Sequence, residues 1–309
     1  MNRKRMGIAA LAATIALVLG ACSSQTEPAR EAAVTPTTQA PASRDCSDIP
    51  KEPKVDLSNC DLVRANLRHA NLTEANLRQA DLTGADLTGA DLTGADLTGA
   101  TVTKAGMGAA TLTKANLSKA DLRWADLRWA DLEGAELEGA NLTKASLEGA
   151  NLRSADLRHV DLRRATLSKV KTLAYANLEG AGLSGLTLTK VNIFGAKLEG
   201  ADLGGANLSE ADLREANLIR ANLREATLDH TSLSKADLRE ANLTRATLTG
   251  ATLREATLLR ADLHEANLRR ANLYNTRPHG ADIHRADFSG ATWVHGETCK
   301  EGSIGQCKT

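Results

Sequence analysis

From Ala80 to Ala100 the chain reads ADLTGADLTGADLTGADLTGA, four verbatim copies of Ala-Asp-Leu-Thr-Gly. Outward from this stretch the leucine centres recur every five residues, back to Leu57 and on to Leu167, interrupted only by Val102 and Met107. The next centre, Leu173, comes after a step of six, and the five-residue period then runs to position 293. Two residues before each centre stands Ala, nearly always, and one before it stands mostly Asp, Asn or Thr. A fixed short period decides the architecture before any other feature does.

Five residues fit neither standard element. On an α-helix they advance about 500°, so successive leucines rotate away from one another and no apolar stripe forms. In a strand, Ala and Leu two apart share a face, but the next Ala, three beyond the Leu, falls on the other. The conflict disappears if the chain turns a corner once per repeat. Ala and Leu then point inward on every short strand, while the residues on either side of Leu, and the corner residue, point out. Four corners close a square coil of about 20 residues, and coils stack through parallel-strand hydrogen bonds. About 48 centres make about 12 coils, which at about 4.8 Å per coil extend roughly 58 Å.

The recurring A(D/N)LxG, over about residues 55–295, resembles the pentapeptide-repeat family, whose members form right-handed quadrilateral β-helices. The resemblance implies an all-β fold and leaves function open. Three irregularities interrupt it. The step of six between Leu167 and Leu173 reads as a one-residue bulge at a corner. Gly106-Met107-Gly108-Ala109 is expected to loosen one coil. Pro278, at a centre position in Thr276-Arg277-Pro278-His279-Gly280, cannot donate to a ladder, so a local loop or widened turn is expected there.

Composition agrees with a narrow, uniform interior. The 309 residues are 42% hydrophobic, yet only Trp 3, Tyr 2 and Phe 2 supply rings. A globular core of this size ordinarily needs larger and more varied shapes. Lys and Arg number 38, as do Asp and Glu. Without the first 21 residues, which carry Arg3, Lys4 and Arg5 and no acid, the balance is 35 against 38, a net charge of −3. No basic surplus points to nucleic acid.

The N-terminus reads as a targeting segment. Asn2–Arg5 is a basic start and Met6–Leu19 an apolar run of 14 residues, too short to span a bilayer and of the length of a signal core. It ends in Leu19-Gly20-Ala21-Cys22, which resembles the lipobox of bacterial lipoproteins, whose cysteine thiol accepts diacylglycerol. The expected organisation is a signal peptide over 1–21, a disordered lipidated tether over 22–45, the solenoid over 46–295 and a disulfide-closed tail over 296–309. Lipid on Cys22 places the chain at the cell membrane on its extracytoplasmic side. Pro28, Pro36 and Pro41 among Thr, Ala, Ser and Gln give the tether its flexible composition.

With Cys22 acylated, Cys46, Cys60, Cys299 and Cys307 allow three connectivities. The length of the coil stack excludes both pairings between its two ends, leaving Cys46 with Cys60 and Cys299 with Cys307 in an oxidising compartment. His264 and His284, 20 apart, stack on one face with His279 a face away, and nothing completes a metal site around them. No GxSxG, HExxH or phosphate-cradling glycine loop is present, so neither catalysis, cofactor nor metal is expected.

Trp124 and Trp129 both occupy corner positions and are expected to project from adjacent corners of one coil. Each ring either lies on Arg123, Arg128 or a lysine stem, or serves as an anchor for a partner. The function expected is thus a lipid-anchored, non-catalytic binding or scaffolding rod with an envelope protein or the cell wall as partner. Some pentapeptide-repeat proteins resemble duplex DNA and bind DNA gyrase. A full match over ~58 Å needs on the order of 30 negative charges, far from −3, and an exported chain does not meet a cytoplasmic topoisomerase.

Overall fold

The computed structural model describes residues 44–46 and 52–309; the signal segment, Cys22 and the tether as far as residue 43 lie outside them. Among the described residues there is no helix, and the chain is a parallel ladder of single-residue bridges such as Asp81↔Thr101 and Thr101↔Asp121. Partners in these bridges are 20 residues apart, so four repeats make one coil. The fold is a quadrilateral β-helix.

One repeat shows why the pattern is stable. The Asp81 N–H donates to the Cys60 carbonyl of the coil before (2.9 Å), and the Leu82 and Gly84 N–H groups donate to Thr101 and Thr103 of the coil after (2.7 and 2.9 Å). The Ala85 N–H closes the corner on the Leu82 carbonyl at 2.9 Å. The remaining donor, the Thr83 N–H, is taken by the Asp81 carboxylate at 2.9 Å. Every N–H of the repeat thus has a partner. The residue before each centre is therefore Asp or Asn for a local reason: its side-chain oxygen reaches the N–H two residues on, an Asx-turn.

The corner residue takes positive φ, 67° at Gly84, 59° at Lys104 and 63° at Trp124, as the third position of a type II turn requires. Inward, the leucines and alanines form uninterrupted columns: Leu82, Ala85, Leu87 and Ala90 are fully buried. The four sides are named here by their first centres: Leu57 on the first, Leu62 on the second, Leu67 on the third and Leu72 on the fourth.

The step of six is a bulge. The Lys171 N–H donates to Ala150 (2.9 Å), while the carbonyl that accepts from Leu152 is that of Thr172 (3.0 Å). Two residues share the bonds of one, and Asn151 bridges Thr172, 21 residues on. Val170 fills the inward slot at 5% exposure and Lys171 is extruded. A second departure lies one side earlier: Leu186 stands in a slot built for Ala and is only half-buried. Beside it no backbone bond joins residues 166–169 to 187–189, and a slit of about 340 Å³ opens, lined by Ala165, Leu167, Leu186 and Val191. An oversized side chain in a close-packed column separates the coils there.

Two expectations are corrected. Gly106 keeps both bridges, to Asp86 and Asp126, and Met107 is fully buried, so Gly106–Ala109 does not loosen its coil. A flexible thioether fills the leucine slot. Pro278 makes neither loop nor widened turn: Ala281 closes on its carbonyl at 2.9 Å and Arg277 bridges Thr257 in register. The proline lies on the first side of the last coil, where no further coil exists to receive a bond, so its missing N–H costs nothing.

Both ends are covered in part. Strand β1 (Arg44–Asp45) pairs in parallel with β2 (Cys60–Asp61), so the last two residues read above as tether join the first coil. At the other end the chain reverses at Gly296 and returns antiparallel across the third and fourth sides. Phe288 and Gly290 donate to Ser303 and Cys299 (both 2.9 Å), with bridges Asp287↔Ile304 and Thr292↔Thr298. Phe288 fills a leucine slot and meets Trp293 edge-on at 4.9 Å.

Leu127→Asp is expected to cost several kcal/mol by burying an unpaired carboxylate, whereas Arg128→Ala, outside, changes stability by about 0.5 kcal/mol or less; equal losses in thermal melts overturn the inward and outward assignment. Leu186→Ala combined with deletion of Lys171 restores a 20-residue coil and is expected to slow amide exchange at Leu167, Lys169 and Thr187, with a gain of about 1–3 kcal/mol. Exchange unchanged at those amides contradicts the origin given for the slit.

Candidate partner-binding surface

At many glycine corners the corner side chain of the coil before leans over the glycine, as His69 does over Gly89 and Arg64 over Gly84. Where a planar side chain leans, the receiving corner is often glycine. The Trp129 ring lies over Gly149, where an added Cβ would collide with it, and Tyr175 lies over Gly195, where the same Cβ would come within 2.9 Å. These glycines supply positive φ and a bare surface together.

Trp124 and Trp129 stand on adjacent corners of one coil, 51% and 61% exposed. The Lys144 ammonium sits 3.9 Å from the Trp124 ring centroid, a cation–π contact from the next coil. Arg123 and Arg128 do not cover the rings; each is held by the aspartate two residues before it, Arg123 by Asp121 and Arg128 by Asp126, both at 2.6 Å. That pairing holds the Asp121 and Asp126 carboxyls below the usual carboxylate range. Of the two rings, Trp129 is therefore the more open, resting on a glycine with no cation over it.

A second aromatic cluster escaped the sequence reading. On the fourth side and its corner, Arg153 lies over Tyr175 (4.9 Å), Tyr175 meets Phe194 edge-on (5.3 Å), and Arg214 lies over Phe194 (5.5 Å). Four side chains from four successive coils make one continuous stack. The signal was available: Tyr175 and Phe194 are 19 apart, which puts them on neighbouring coils one residue out of vertical. Rings flanked by guanidinium planes have the composition of interface anchors.

Many of the outward polar side chains bond within the coil, although among the described residues the buried Thr103 and Thr247 hydroxyls have no partner. The Thr88 hydroxyl and backbone N–H and the Arg68 guanidinium hold Asp86 down at about 2, so its carboxylate is a structural acceptor at neutral pH. Among the described residues, no group of three or more His, Cys, Asp or Glu is placed to hold a metal ion. His264 and His284 stack 5.4 Å apart and nearly parallel, at 12°. Cys46 is bonded to Cys60 (Cα–Cα 5.6 Å) and Cys299 to Cys307 (5.0 Å), one disulfide at each end of the coil. Cys60 is fully buried in an alanine slot, so the first disulfide fastens β1 to the core itself. Cys22 lies outside the described residues.

Comparison with known proteins agrees with this geometry. The family model described as pentapeptide repeats matches from residue 54 to 168 and again from 172 to 292, missing only short joints, the bulge among them. No curated protein matches. Among solved structures, HetL, a pentapeptide repeat protein involved in heterocyst differentiation regulation in the cyanobacterium Nostoc sp. strain PCC 7120, is 35% identical, with 74% of this chain and 93% of that chain covered and a TM-score of 0.45. Rfr23 from the cyanobacterium Cyanothece 51142 is 32% identical over 34% of this chain and 82% of that one, TM-score 0.28. QnrB1, a plasmid-mediated fluoroquinolone resistance protein, is 20% identical over 66% and 84%, TM-score 0.28. A chain whose five-residue period builds a four-sided parallel coil, and which the family model matches over most of its length, belongs to the pentapeptide-repeat family.

Proposed function

We propose that this protein is a lipid-anchored, extracytoplasmic, non-catalytic binding scaffold whose partner is an envelope protein or the cell wall. The observation that carries the reading is the pair of aromatic sites, Trp124 with Trp129 and Tyr175 with Phe194, held on a backbone whose own hydrogen bonds are already made. A coil that spends its polar groups internally offers a rigid surface, so a partner orders few side chains on binding it. The disulfides at both ends support an oxidising compartment, and the series ending at Cys22 supports the anchor. A role as a DNA mimic is disfavoured by the near-neutral charge and by export.

Detergent-phase partitioning checks the anchor: the parent is expected in the detergent phase and Cys22→Ala in the aqueous phase, and equal partitioning removes the lipid. The contact surface is checked by crosslinked capture from intact cells, comparing the parent with a Trp124→Ala, Trp129→Ala variant of equal melting temperature. Loss of one specific band from the variant is the expected result; undiminished capture clears the tryptophans of any role.

A further inference from the structure

The end of the coil holds a cleft apart from the aromatic sites. Among the described residues no backbone bond ties Pro278–Gly280 to a following coil, while the departing chain passes over the neighbouring corner, where the Asn275 N–H donates to Val294 at 2.9 Å. Between this lip and the ledge at Pro278 lies a recess of about 870 Å³, within the roughly 300–1,000 Å³ that small-ligand sites occupy.

Its lining differs from the rest of the surface in charge. Arg277 stands one residue before a centre, a position that mostly carries Asp, Asn or Thr and holds a cation at Lys197 as well. Lys235 enters from the corner two coils below, and His279 and His295 face the same space, against one carboxylate, Glu255. Many arginines of the outer faces are clamped by neighbouring acids, as Arg214 is by Asp212 at 2.7 Å. Among the described residues Lys235 and Arg277 enter no ion pair, so both charges are free for a ligand. Two unpaired cations in a concave site call for an anion. The Asn275 amide, the Thr257 hydroxyl and Glu255 add donors and acceptors suited to hydroxyl groups. No Phe, Tyr or Trp lines the recess, so a base would find only the His279 and His295 imidazoles to stack on, whereas polar groups suited to hydroxyls surround it. We infer that the cleft binds a short acidic oligosaccharide, its carboxylate or phosphate held by Lys235 and Arg277 and its hydroxyls by Asn275, Thr257 and Glu255. The inference depends on how the coil ends and is independent of whether Cys22 carries lipid.

Titration of the full chain with a hyaluronan tetrasaccharide, neutral chitotetraose and inorganic phosphate tests it. The hyaluronan fragment is expected to bind at least about tenfold more tightly than either other probe, and Lys235→Ala with Arg277→Ala to weaken it by about tenfold or more, while Lys114→Ala leaves it unchanged. In the unmodified chain, the imidazole resonances of His279 and His295 are expected to shift on addition while those of His69 and His159 stay fixed. Equal binding of the neutral and acidic saccharides, phosphate binding as tightly as the tetrasaccharide, a double variant that binds like the parent, or shifts confined to other histidines each overturns the assignment.

Discussion

The structure depends on what happens to the N–H of the residue after each leucine. It faces out from the coil, too far from a neighbouring coil to be used by the ladder, and it recurs once every five residues. In the regular repeats it is taken by the side-chain oxygen of the Asp or Asn two residues earlier, as at Ser58 with Asp56 and Gly204 with Asp202, both 3.1 Å. An unpaired donor at every repeat would leave a long column of groups competing with the ladder for water, and the corner that follows would lose its fixed geometry. At two positions where the preceding residue is not Asp or Asn another acceptor takes its place: Ala174 donates to the Thr172 hydroxyl at 3.0 Å, and Thr249 to Asp229 of the coil below at 2.9 Å.

With the backbone satisfied within each repeat and its neighbours, the interior has one demand left, a constant cross-section. Ala and Leu meet it by being one small and one medium residue in fixed slots. Departures from those sizes are where the ladder yields. Val160, Val170 and Val191 stand in alanine slots and remain buried, whereas Leu186 does not fit. The 21-residue coil at Lys171 and the slit beside Leu186 are neighbours because a bulge lets one coil shift against the next, and the shift accommodates the larger side chain. The two hydroxyls that enter buried alanine slots, Thr231 and Thr276, bond to the Leu208 and Leu273 carbonyls at 2.7 and 2.8 Å.

The regular part of this architecture was legible because every determinant is local. Period five, an Ala–Leu spacing of two and an acid or amide before most leucines fix corner, inward face and hydrogen-bond acceptor without reference to distant residues. Pro278 and the Gly106–Ala109 stretch were misread for the same reason: a local rule was applied where the deciding fact was whether a coil lies above. The tail from Glu297 to Thr309 has no period, so its antiparallel return over Phe288 and Trp293 could not be read, although its two cysteines marked it as closed. The Arg153, Tyr175, Phe194 and Arg214 stack was missed because its members differ in repeat position, and only the observed stacking of coils sets them in line.

A solenoid of near-identical repeats poses a recognition problem that the same physics answers. Successive repeats offer a partner nearly equal contacts, so a ligand that reads the regular pattern slides from register to register with little change in energy, and specificity has to come from departures. In this chain the departures are few and separate: two indoles on adjacent corners, one arginine–aromatic stack beside the bulge, and a cationic recess where the coil ends. Each lies where the repeat's own bonds are complete or no longer required, at a corner, at a bulge or at a terminus. Substitution there costs the fold least, so recognition chemistry can accumulate at those positions without disturbing the columns of Ala and Leu beneath them.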